Sequence, residues 1–116
     1  MKKLTFKMAE RKTLEVNGEV YVVLMNDTEV IQAAAAVEKK LRNLASLTEK
    51  SEHNVDAALE ILNFLTQSTD NMLGEGALMK ITGGQTPSIA AAIELYRLLS
   101  GAVVEIYEQD LANIYE

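Results

Sequence analysis

Hydrophobic positions alternate over the first quarter of the chain and recur at threes and fours over the rest. Residues 12–25 read KTLEV-NG-EVYVVLM, two β-rich runs around Asn17-Gly18. A two-residue type I′ turn needs positive φ at both central positions, and Asn-Gly supplies it. That turn fixes a register. Val16 faces Glu19, Leu14 faces Tyr21 and Lys12 faces Val23 on one face, while Arg11, Thr13, Glu15, Val20, Val22 and Leu24 share the other. The second strand is apolar on both faces, so one face is expected on helices and the other partly covered. LTFKM at 4–8 reads as a third strand or an extension of the first, giving a β region over 3–25. A lone hairpin is marginal in water and must pack on something.

The period then changes. Asn26 and Glu29 have capping-box spacing and open a helix over about 28–48. Its seam is Val30, Ala34, Val37, Leu41 and Leu44, and Ala33 to Ala36 favour helix and close approach. EKSEHN at 49–54 is polar, with Ser51 placed to cap a second helix over about 52–73. That helix carries Val55, Ala58, Leu59, Leu62, Leu65, Met72 and Leu73, widened by Ile61 and Phe64 and interrupted by Gln67, Ser68 and Thr69. Gly74 follows as a left-handed terminator. Residues 77–82 form at most one short turn, closed by Gly83-Gly84. Thr86 caps the last helix, about 87–114, with Pro87 at its first position. Two adjacent stripes run along it: Ile89, Ile93, Tyr96, Val103, Tyr107, Ile114, and Ala92, Leu95, Leu99, Ala102, Ile106. Such a helix is buried on more than one side. Gly101 in its middle marks a bend or a close contact. The expectation is an α+β domain, mainly helical, spanning 1–116: an antiparallel β-hairpin, possibly three-stranded, then three helices.

Composition narrows the function. There is no cysteine, so disulfides and thiolate chemistry are excluded. A net charge of −6 argues against sequence-independent nucleic-acid binding, which needs lysine and arginine to displace counterions. The basic cluster Lys2, Lys3, Lys7, Arg11 and Lys12 suits a solvated strand face. No apolar run approaches the ~20 residues of a membrane span, and the first residues lack a signal peptide's apolar centre. A cytoplasmic protein is expected.

No group of residues reads as a reaction centre. His53 is the only histidine and sits in a polar stretch. A zinc site would need three further nitrogen or oxygen ligands. Glu105, Glu108, Asp110 and Glu116 read as a solvated helix face, and no serine stands in a nucleophile elbow. LGEGA lacks the dinucleotide pattern, TGGQT lacks the Walker lysine, and Glu75 between two glycines would repel phosphate. Asn17, Gly18, Gly74, Gly76 and Gly83 are therefore turn residues. No catalytic residue, cofactor or metal is expected. Met72 and Met79 flank the glycine turn as core fill or as an adaptable binding surface.

Residues 70–83, DNMLGEGALMKITG, resemble a segment of the tail assembly chaperones of long-tailed (siphovirus-type) phages and prophages of Gram-positive bacteria. In that family a helix ends with Asp, two apolar residues and L-G-E/P-G, then a short amphipathic turn with Ile and Gly precedes a last helix. Asp70, Met72, Leu73, Gly74, Gly76, Ile81 and Gly83 match. Thr82 stands where an aromatic is common. The initial hairpin, the length and the acidity also fit. The resemblance implies a non-enzymatic protein that coats the apolar, helical tape-measure protein in the bacterial host cytoplasm. Such proteins are absent from the finished virion and are often made in two lengths by a frameshift. It implies protein partners, the tape-measure protein and further copies of itself, with no membrane or nucleic acid. The expected groove lies between the last helix and the 72–81 turn: Met72, Leu73, Leu78, Met79, Ile81, Tyr96 and Leu99. The same residues would equally serve an intramolecular core. The alternative function is a structural subunit of a phage particle or a small oligomeric adaptor. Either way, the apolar groups of the C-terminal half are expected to exceed what one copy can hide.

Overall fold

The computed structural model describes residues 1–7, 11–48 and 55–114, and of 44–48 the backbone alone. Strands β1 (Thr13–Val16) and β2 (Glu19–Val22) form a hairpin, followed by helices α1 (Asp27–Thr48), α2 (Val55–Leu73), α3 (Ala77–Ile81) and α4 (Ile89–Ile114). The fold is α+β and mainly helical, as the hydrophobic pattern predicts. Ser51, His53 and the start of the second helix at 52 lie outside the described residues, as do Met8 and Glu116.

The hairpin has the predicted register. Val16 pairs with Glu19 and Leu14 with Tyr21, and Val23 N–H donates to Lys12 C=O at 2.9 Å. Asn17 (φ 53°) and Gly18 (φ 82°) supply the two left-handed turn positions. Tyr21 and Val23 are buried on the inner face. The outer face differs from expectation. Val20, Val22 and Leu24 stand exposed, with no element among the described residues covering them. Residues 4–7 form no strand, and Leu4 and Phe6 are each 85% exposed.

Asn26 and Glu29 make the expected capping box at α1. Glu29 N–H donates to Asn26 Oδ1 at 2.9 Å and Asn26 N–H to Glu29 Oε1 at 3.2 Å. At α4 the cap moves by two residues. Ser88 Oγ, not Thr86, accepts from Ala91 N–H at 3.1 Å, so the helix begins at Ile89 and Pro87 leads into it.

Lys40 of α1 meets Glu60 of α2 at 2.7 Å, so these two helices run antiparallel. Glu38 meets Arg97 at 2.8 Å, while Val30 and Val104 line one hollow, so α1 and α4 are antiparallel too. Therefore α2 and α4 are parallel, and residues 74–88, including α3, carry the chain back between them. The core gathers Val30 and Val37 of α1, Ile61, Leu65 and Met72 of α2, and Ala92, Tyr96, Leu99 and Val103 of α4. α4 is thus buried against both α1 and α2, as its paired stripes require.

The α2 interior is rotated from the sequence reading. It runs Ile61, Leu65, Thr69, Met72, with Thr69 fully buried, while Val55 and Leu59 are exposed. Ile114 is also exposed rather than interior. Gly101 makes no close contact: a Cβ there would meet nothing within 4 Å, and α4 runs through it unbroken. The molecule measures 66 × 32 × 27 Å, against roughly 39 Å for its longest helix. No helix among the described residues is long and apolar enough to cross a membrane.

Candidate functional site

The glycine-rich stretch 70–84 is a clasp. α2 ends as Gly74 N–H donates to Asp70 C=O at 2.7 Å, and Gly74 turns the chain at φ 113°. α3 then starts with no Ser, Thr, Asn or Asp at its own cap position, where Gly76 stands at φ 80°. Asp70 takes that role from the preceding helix. Its carboxylate accepts Gly76 N–H at 3.1 Å and Leu78 N–H at 3.0 Å, one on each oxygen. The amides an anion would use are therefore already filled. Gly83 and Gly84, both at positive φ, close the other end as Gly84 N–H reaches Met79 C=O at 2.7 Å. The pattern alone missed Asp70. The signal available was a helix start with no capping residue of its own.

The clasp presents its apolar residues inward. Met72, Leu73, Leu78, Tyr96 and Leu99 are each at most 5% exposed. The groove expected between α4 and the 72–81 turn is filled by these side chains. Of the seven candidate contacts, Met79 is exposed and Ile81 is half-buried, with its side chain against the core. The hairpin seals the clasp from above. Leu24 N–H donates to Met72 C=O at 2.8 Å, and Lys80 pairs with Glu19 at 2.6 Å while lying over the Tyr21 ring.

The open apolar surface lies elsewhere, along α1 and α4. One hollow is lined by Ile31 and Ala34 of α1 and by Ser100, Gly101, Val104 and Glu108 of α4. A second continues along α4 past Arg97 to Leu98, Glu94, Ile93 and Ala90. Ile31 is 55% exposed and Leu98 65%. The floor is low because Ala34 and Gly101 bring almost no side chain to it. Arg97 borders both hollows, and Glu38 fixes it by two bonds, Nε to Oε1 at 2.8 Å and Nη2 to Oε2 at 3.0 Å. The Arg97 guanidinium in turn holds the Glu38 carboxyl below its ordinary range. Beneath, burial pushes the Tyr96 phenol up, and the nearby Glu38 charge adds to the shift.

No cluster of three or more His, Cys, Asp or Glu residues able to hold a metal ion occurs among the described residues. The groove offers apolar contact, a backbone-deep floor and a charged rim, which is the chemistry of docking. Comparison with protein-family models, with curated proteins and with solved structures gives no match to this chain.

Proposed function

We propose that this protein is a non-catalytic tail assembly chaperone of a long-tailed phage or prophage of a Gram-positive bacterium. It binds the helical tape-measure protein in the host cytoplasm while the tail is built. The observation that carries the reading is the apolar hollow between α1 and α4, lined by Ile31, Ala34, Gly101 and Val104, and the depression along α4 that leads from Arg97 to the exposed Leu98. An amphipathic helix docks in such a groove through side chains spaced three and four apart. A glycine floor lets its backbone approach closely. Arg97, Glu94 and Glu108 edge the groove and would set the register of the bound helix. The net charge of −6 suits a protein that coats an apolar partner in many copies without precipitating.

The segment that carries the family resemblance supports this reading through the fold. It builds the clasp that turns the chain back after α2 toward α4, and α4 supplies most of the groove. The test is co-expression with the tape-measure protein of a phage or prophage that encodes this chain. A soluble complex is expected, and Leu98→Asp or Ile31→Asp should abolish it while leaving the fold intact. A partner that stays insoluble while this protein remains alone in solution would sink the reading. Detection of this chain in purified particles by mass spectrometry would instead support a structural subunit.

A further inference from the structure

Residues 3–7 and the open side of the hairpin answer each other. Leu4 and Phe6, each 85% exposed, alternate with Lys3, Thr5 and Lys7 at strand spacing. Opposite them in character is β2. The bond from Val23 N–H to Lys12 C=O sets the ladder so that the backbone groups of Val20 and Val22 point away from β1. No hydrogen bond among the described residues reaches those groups. Their side chains are exposed as well. An unpaired edge beside exposed valines is a template for another strand.

Within the chain the sheet has two strands, and the described residues 3–7 pair with neither.

We propose that the protein self-associates by strand addition, residues 3–7 of one copy pairing with the free edge of β2 in another. The pairing sets Leu4 and Phe6 beside Val20 and Val22 on the outer face. Alternation then puts Lys3, Thr5 and Lys7 on the opposite face of the added strand. Charge favours the exchange. Lys2, Lys3 and Lys7 put +3 on the first seven residues, so of the −6 total the remaining chain carries −9. Reciprocal exchange, each copy giving residues 3–7 and receiving its partner's, closes as a dimer. This surface is separate from the α1–α4 groove, so the inference stands whether or not a tape-measure protein is the partner.

The absence of cysteine makes the test clean. Copies carrying Phe6→Cys, mixed with copies carrying Val22→Cys, should form a mixed disulfide under mild oxidation. In sedimentation, Phe6→Asp should weaken self-association at least about tenfold, and Val20→Lys should do the same. Phe6 is 85% exposed in the folded chain, so circular dichroism and Tm should not move for Phe6→Asp. A monomer at about 100 µM, where mass action would fill even a weak dimer, overturns the proposal. So does an oligomer indifferent to both substitutions, or a Phe6→Cys/Val22→Cys chain that closes only within itself.

Discussion

Asp70 holds two amides of the following helix with one carboxylate, which makes it the most exacting position in the chain. Asp70→Ala leaves both amides unmet and is expected to cost about 1–3 kcal/mol in urea denaturation. Asp70→Asn keeps one acceptor and should cost less. Gly76 sits at φ 80°, so Gly76→Ala should cost about 1–2 kcal/mol through backbone conformation alone, since the added methyl meets no atom. Thr69 is a contrary case. Its hydroxyl is buried with no partner, so Thr69→Val should be neutral or stabilising by about 1 kcal/mol. A loss of stability there would reveal a polar partner. Legibility at this scale followed sequence distance. Asn17-Gly18 and the Asn26–Glu29 box are readable because each feature closes within three residues. The Asp70 contact spans eight residues and two helices, and Thr69 enters the core by its methyl where a polar residue reads as an interruption.

At the scale of the element, α4 is the informative helix. Its two apolar stripes foretold burial against two neighbours, and α1 and α2 are those neighbours. The stripes did not foretell the role of Gly101, because a glycine signals freedom of approach without saying whose atoms approach. Here no atom of the described residues does. Gly101→Ala should therefore raise stability by about 0.5–1 kcal/mol through helix propensity. If the groove receives a partner helix, the same substitution should lower capture in co-expression. Stability gained with capture unchanged would place the partner elsewhere. Tyr96 gives a second handle on this helix. Burial raises its phenol above the ordinary value, so the folded state resists ionisation that the unfolded state accepts. Its contribution is intact below about pH 10 and declines as pH rises toward the folded value. Denaturation midpoints measured from pH 8 to 11 should fall, and Tyr96→Phe should flatten the fall. Glu38 has the opposite sign. Its depressed pKa supports the α1–α4 contact above about pH 4, and that support fades on acidification. Arg97→Met should remove this acid-side dependence.

For the whole molecule, pattern and period gave the order hairpin then helices, and an apolar excess was expected of the C-terminal half. They could not say on which face the excess emerges. That depends on how far each helix rotates in the bundle, which the packing of Ile61, Leu65 and Thr69 settles and a list of apolar residues does not. The candidate contacts at Met72, Leu73, Leu78, Tyr96 and Leu99 became interior for this reason, while Ile31, Leu98, Val20 and Val22 were left outside. The same packing brings distant parts of the chain together: Lys12 lies 3.0 Å from Asp110 and over the Tyr107 ring. The residue that leads into β1 and the last part of α4 are thus spatial neighbours, and the covalent order of the elements is negotiable. A circular permutant in which a short linker joins the end of α4 to Lys12, opened between the exposed Gln85 and Thr86, should recover the native far-ultraviolet spectrum. It would turn the long return from α2 to α4 into free tails, and make the helix that forms last in the natural order the first one synthesised.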